Sequence, residues 1–204
     1  YKARYSSLRA DQQMRAAYVE QAVTLARERG LRTLYSEMLH EYANVHRYGE
    51  LWHPALSEAI NIMRVDGDSF RLAKTLGTMG HLLSVRQEEG DRIKAKESLL
   101  KAQRLARSMQ NYYLDASISM TLANLEVVLG NARDALRNYF RSYELHSKVG
   151  EIQNTCLVLG NLASCYIQLG QLGKAARMLK QCERILSRVN QQGNHIPTAR
   201  MVYE

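Results

Sequence analysis

The feature that most constrains this chain is a period of 40 residues. Gly90, Gly130 and Gly170 are 40 residues apart, with Glu50 at the same phase, and five residues after each comes alanine: Ala55, Ala95, Ala135 and Ala175. Upstream, at minus eight and minus seven, the register gives Tyr42, Leu82, Leu122 and Leu162, then Ala43, Leu83, Ala123 and Ala163. Downstream, at plus nine and plus twelve, it gives Ala59, Leu99, Tyr139 and Leu179, then Ile62, Ala102, Ser142 and Cys182. Small and bulky residues thus recur at helical spacing on both sides of a turn. Such a pattern describes a helix A, a turn and a helix B, repeated along the chain.

The breaks between these helices follow from residue chemistry. Glycine ends a helix well because it enters the left-handed region without a Cβ clash. Gly30, Asp66-Gly67-Asp68, Asn111, Gly150 and Gly193-Asn194 supply a second set of breaks between units, and Pro54 falls in a first helical turn, where a missing N–H is harmless. The spacing predicts a B helix at about 6–29 and A/B pairs at 33–64, 69–109, 112–149 and 151–190, with a new A helix near Pro197. The expected fold is all-α, a right-handed solenoid of antiparallel helix pairs in one array over 1–204. Its repeats run 1–30 (partial), 31–68, 69–110, 111–150, 151–194 and 195–204 (partial). In such a stack each unit buries its apolar face against its neighbours, so partial repeats at both ends suggest a segment of a longer protein, as does a first residue other than methionine.

Composition narrows the class. With 46% hydrophobic and 24% charged residues and two prolines among 204, the chain has the makings of a soluble helical protein. No apolar run is long enough to span a bilayer, so no membrane partner is expected. Cys156, Cys165 and Cys182 are odd in number and sit at core-type positions, as reduced thiols in a cytoplasmic protein would. A net charge of +8 raises the alternative of nucleic-acid binding. Lys94, Lys96, Lys101, Arg104 and Arg107 instead read as the solvated face of a helix, and base-stacking aromatics are not interleaved with them, so nucleic acid is not the expected partner.

The run Leu159-Gly160-Asn161-Leu162-Ala163-Ser164-Cys165-Tyr166-Ile167-Gln168-Leu169-Gly170, with Ala175, Leu179 and Cys182, resembles a tetratricopeptide repeat. Met79, Leu82, Gly90, Ala95, Leu99 and Ala102 carry the same resemblance, as do Leu122-Ala123, Gly130, Ala135 and Tyr139. Glu126 and His46 stand where that family has an aromatic, and Glu50 where it has glycine. The 40-residue unit is longer than the family's basic one and is similar to the arrays of Pins-type scaffolds, kinesin light chains and bacterial signalling regulators.

What the resemblance implies is a protein-interaction module, part of a larger scaffold or signalling regulator, that holds a protein or peptide ligand in a groove lined by its A helices. Projected onto this sequence, the groove positions include Asn44, Arg47, His81, Thr121, Asn124, Asn161 and Gln168. Asn124 and Asn161 lead, because an amide both donates to and accepts from a peptide backbone. The family's carboxylate-gripping subtype is disfavoured, since Glu37, Glu41 and Glu88 stand among the groove positions where that subtype has cations. Self-association through exposed end faces is a further expectation.

No enzyme, cofactor or metal is expected. His40-Glu41 and His46 have the wrong spacing for a zinc helix, which needs histidines four apart on one face. Gly77-Thr78-Met79-Gly80 lies in a helical pattern with no preceding strand and no Gly-Lys-Ser/Thr, so it reads as close helix packing and not a phosphate loop.

Overall fold

The structure is a computed structural model that describes residues 2–86, 88 and 90–191, and among them it contains nine helices and no strand. The breaks expected at Gly193-Asn194 and the helix expected near Pro197 lie outside the described residues. The helices are α1 (Lys2–Glu28), α2 (Arg32–Val45), α3 (Trp52–Val65), α4 (Ser69–Arg86), α5 (Asp91–Ser108), α6 (Tyr112–Val128), α7 (Ala132–Lys148), α8 (Ile152–Gln168) and α9 (Leu172–Gln191). They reproduce the expected pairs to within a few residues.

The chain divides into two compact units, Tyr1–Gln110 and Asn111–Glu204, at one of the repeat boundaries. In the first unit α1 packs on α2, α2 on α3, α3 on α4 and α4 on α5; in the second, α6 packs on α7, α7 on α8 and α8 on α9. Each pairing joins consecutive helices, which is the nearest-neighbour packing of a helical solenoid.

The turns follow one hydrogen-bond pattern. After α6, the Gly130 N–H donates to the Val127 carbonyl at 3.0 Å and the Asn131 N–H to the Glu126 carbonyl at 2.8 Å. After α8, Gly170 bonds Ile167 at 2.9 Å and Gln171 bonds Tyr166 at 2.8 Å in the same way. This double closure satisfies carbonyls that the end of a helix would otherwise leave unpaired, and it needs φ > 0 at the glycine, which is +76° and +71° at these two positions. Each of these turns takes three residues, 129–131 and 169–171.

Where glycine is replaced by Glu50, no residue of the turn between α2 and α3 takes a positive φ, and the connection lengthens to the six residues 46–51. The two flanking helices are correspondingly short, at 14 residues each.

The repeat register is the core. Ala43, Ala59, Ala95, Leu99, Ala102, Leu122, Ala123, Ala135 and Leu162 are all buried at 2% exposure or less. In the second unit one cluster joins four helices, with Ala123 of α6, Ala135 and Tyr139 of α7, Val158, Leu159 and Leu162 of α8 and Cys182 of α9. Tyr42 and Ile62 of the register are half-buried, and Leu179 is exposed, on the last described helix, which packs against α8. Gly80 marks a close approach of α4 to α5. A Cβ there would lie 2.5 Å from Leu99 Cγ and 3.0 Å from the Ala95 carbonyl oxygen.

The three thiols are free and buried. Burial and the neighbouring Cys182 push the Cys156 thiol up to about 12, which keeps it protonated and inert.

Buried polar groups tie the helices at particular levels. Asp91, at the start of α5, accepts 2.7 and 2.9 Å bonds from Arg86 of α4, and Asp115 of α6 is paired with Arg141 of α7. The Arg86 guanidinium holds the Asp91 carboxyl below the usual carboxylate range. His40 of α2 is buried and its Nε2 meets Thr78 Oγ1 of α4 at 2.9 Å, linking two A helices. Burial first, and the Lys74 charge second, lower the His40 pKa from 6.5 to about 4 against an upward pull from Glu41. His146 is also buried and also lowered by burial, with Tyr113 edge-on to it at 6.0 Å and Glu151 pulling the other way.

Two consequences are measurable. Gly80→Ala is expected to lower the unfolding free energy by about 1–3 kcal/mol, because the fully buried Leu99 has nowhere to retreat and overpacking outweighs the gain in helix propensity. A urea titration of both proteins checks it. The second consequence concerns acid. An imidazole kept neutral in the folded state binds fewer protons than its unfolded counterpart between about pH 6.5 and 4. Stability is therefore full above that window and falls as the pH drops through it, by on the order of 2–3 kcal/mol for His40. His40→Gln, which keeps a partner for Thr78, should flatten the urea midpoint between pH 7.5 and pH 5. An undiminished slope in that variant would assign the acid sensitivity elsewhere.

Candidate functional site

The A helices are α2, α4, α6 and α8, and the two units present them differently. In the second unit the strip on α8 consists of Gln153, Leu157, Asn161, Ser164 and Gln168, spaced three or four residues apart and therefore on one face. No residue of α8 carries a charge. The two charged residues of α6, Asp115 and Glu126, are both buried, which leaves Tyr113, Ser117, Thr121, Asn124 and Val128 on its more open side. Asp115 is consumed by Arg141, and Glu126 accepts a 2.7 Å bond from Asn131 in the turn. Glu126, the apparent departure from an aromatic position, is thus a turn-fixing residue.

The B helices of the same unit are the opposite. Along α9 stand Lys174, Arg177, Lys180, Arg184 and Arg188, all exposed, against the single acid Glu183. Arg133 and Arg137 are likewise exposed on α7. The positive charge of this unit therefore lies on its B helices while the A-helix strips are neutral.

The seven sequence-derived site residues divide by unit and by partner. Asn161 is half-buried and its side chain makes no hydrogen bond with any described residue, so its amide is unengaged. Asn124 is exposed, but its Oδ1 accepts a 2.6 Å bond from Tyr139 Oη, which orients the amide and leaves Nδ2 to point elsewhere. Burial pushes the Tyr139 hydroxyl up to about 12, so it stays a donor. Thr121 Oγ1 donates to the Ser117 carbonyl at 3.1 Å within its own helix, and Gln168 is exposed at the end of α8.

In the first unit, Asn44 is half-buried on α2, while Arg47 and His81 line one cleft with Trp52 beneath the long 46–51 turn. Desolvation of the ring first, and the Arg47 charge second, lower the His81 pKa.

The acidic residues of the first unit's A helices are engaged. Arg71 pairs with both Glu37 and Asp68, and Arg15 of α1 reaches Glu41 at 3.0 Å. Glu37, Glu41, Asp68 and Arg71, with Phe70 and Lys74, line a second cleft of about 570 Å³. The pairs satisfy one another, so the acidic look of this segment in sequence does not become a free acidic surface. Along α1, Met14, Tyr18 and Leu25 are more than half exposed, and Met14 and Tyr18 lie beside Val19, Ala22 and Met38 in a shallow apolar depression. That face had no sequence signal beyond an incomplete first repeat.

Among the described residues no group of three or more His, Cys, Asp and Glu side chains is placed to hold a metal, and no helix is long and apolar enough to cross a membrane.

Comparison with known proteins bears on the repeat. A tetratricopeptide repeat family model matches residues 114–188, the segment that holds most of α6 and α9 and all of α7 and α8. Among solved structures, BtubC (BKLC) from P. vanneervenii is similar with a TM-score of 0.61 at 12% identity, over 88% of this chain and 92% of that one. At that identity the likeness is one of fold. No curated protein matches the sequence. A tetratricopeptide fold ordinarily serves as a non-catalytic scaffold for protein contacts. Residues 114–188 thus match the tetratricopeptide repeat within a helical-repeat fold, which in general terms supports a protein-interaction module.

Proposed function

We propose that the second unit holds a peptide or partner segment along the uncharged A-helix strips of α6 and α8, and that the chain serves as the recognition part of a larger scaffold or regulator. The observation that carries this reading is the separation of chemistry within the unit: open amide, hydroxyl and aliphatic groups on the A helices, charge on the B helices. An extended or helical segment needs apolar seats and groups that both donate and accept. Leu157 and Val128 offer the first, and the unengaged Asn161 amide, with Ser164 and Gln168 a turn or two further along, offers the second. Asn124, held by Tyr139, is pre-oriented and so loses little freedom on binding.

A neutral strip selects a segment whose contacting side chains are themselves uncharged. A charged side chain brought against it would lose hydration and find no counter-ion. This also argues against nucleic acid at the strip, whose affinity depends on phosphate neutralisation.

The test places a charge where the strip has none. Leu157→Arg and Asn161→Arg each change a side chain that is open or half-open, so the fold is expected to survive, as thermal unfolding will show. A partner captured from the native cell extract by the intact chain should bind these variants at least about tenfold more weakly. It should bind an Arg177→Glu/Arg184→Glu variant of α9 unchanged. The reverse pattern, with binding lost on α9 and falling steeply with salt, would overturn the strip reading in favour of an acidic or nucleic-acid partner on the B helices.

A further inference from the structure

The second unit buries a polar pair that its repeat pattern does not call for. Ser142 and His146 lie one turn apart on α7 and are both buried at 0% exposure. Forty residues before and after, the same two positions hold Ala102 and Ala106, then Cys182 and Leu186. Ser142 Oγ and both ring nitrogens of His146 make no hydrogen bond with any described residue. A seat that is apolar in the neighbouring repeats thus carries three unpaired polar atoms, which weakens the packing that alanine or leucine would complete.

The pair sits directly behind the strip. Tyr113 of α6 stands against the imidazole, with ring centroids 6.0 Å apart and planes nearly perpendicular, and it is half-exposed where His146 is enclosed. One aromatic ring therefore borders the buried histidine on one side and belongs to the open side of α6 on the other. The charged groups around the imidazole are few. On α6, Asp115 is consumed by Arg141, and on α7, Lys148 is held 3.8 Å over the Tyr112 ring. No residue of α8 carries a charge, and its Cys156 and Cys165 thiols are raised by burial and stay protonated. Glu151, just before α8, is the carboxylate that attracts the ring, and it makes no ion pair with a described residue.

We propose that His146 is an acid-operated latch: protonated, it leaves its seat towards Glu151, releases Tyr113 and opens the α6–α7 seam at that end of the strip. A closed seat offers an imidazolium no acceptor, whereas an opened one gives it water, Glu151 and the carbonyl end of α7, all of which favour positive charge. The proton therefore binds the open state better and shifts the population towards it. Burial already holds the closed imidazole below its usual 6.5 against the pull of Glu151, so the closed seam is complete above about pH 6.5 and is lost as the pH falls below it. That acid also weakens recognition rests on the strip reading; the opening itself does not.

Hydrogen exchange of the whole chain at pH 7.5, 6.5 and 5.5, corrected for the intrinsic rate, reads the opening over residues 112–119 and 142–149. Exchange there should rise below pH 6.5 by no more than about tenfold per pH unit, the limit for one proton, while residues 156–166 of α8 keep their protection. His146→Leu, which installs the residue of the next repeat, should protect the segment at every pH and abolish the pH dependence. Ser142→Ala should protect it and leave the pH dependence in place. The NMR titration of the His146 ring in the unaltered chain should follow the same pH profile, and it needs no variant. His40 acts in the first unit and is read separately.

A pH dependence that survives His146→Leu, greater exchange in either variant at pH 7.5, loss of α8 protection together with the seam, or ring protonation that does not coincide with opening overturns the proposal. None of these readings uses a ligand, so failure here is distinct from failure of Leu157→Arg and Asn161→Arg to weaken capture.

Discussion

The structure depends on how closely two antiparallel helices can approach across a three-residue turn. Closing that turn requires one residue with positive φ, supplied by Gly130 and Gly170, whose N–H and that of the next residue return to carbonyls of the helix just ended. The closure fixes where helix B starts and which of its residues face helix A. Alanine five residues on, buried at 0% at Ala135 and 3% at Ala175, then permits the close contact. Every other buried position of the register, from Leu122 to Cys182, follows from those two requirements. Substitution for either one shifts the whole pair and not a single contact.

The repeat at 46–51 shows what happens when the constraint is relaxed. With Glu50 at the glycine position the chain spends twice as many residues on the turn and each helix is shortened to 14 residues. The lost packing opens a cleft at the very level where regular repeats are closed. The Arg86–Asp91 pair and the Trp52 ring hold the walls of that opening, so it is a built feature of the unit and not a frayed end. A residue that weakens the repeat thereby creates the place where the repeat differs chemically from its neighbours.

Most of the fold was legible because the information is periodic. Helix limits, inter-unit glycines and the buried alanines can be read from spacing alone, since each is repeated and each repetition is an independent sample of the same physics. The candidate site was less legible, for a definite reason. Spacing places both Asn161 and Asn124 on the A-helix strip, yet Tyr139 reaches Asn124 and no side chain reaches Asn161, a difference that arises from a residue fifteen positions from Asn124 on another helix. Likewise Glu37 and Glu41 read as free acids in one dimension, while Arg71 and Arg15 neutralise them in three. Glu126 looked like a misfit until its turn partner Asn131 was in view. The sharing of one cleft by Arg47 and His81 needed the unexpected length of one turn.

Charge placement in the second unit follows from the same geometry and gives the module its selectivity. An A helix is flanked on its core side by its own B helix and laterally by neighbouring repeats, so a charged group on it is either paired at once, as Asp115 is with Arg141, or stranded close to apolar surface. The B helices have a fully hydrated outer face and take the cations at no such penalty, which is where Arg177, Lys180, Arg184 and Arg188 stand. Solubility and recognition are thereby assigned to different helices. Side chains that keep the unit apart from other molecules lie on B, and those able to form dry contacts lie on A, so either set can change in sequence without disturbing the other or the register that holds both.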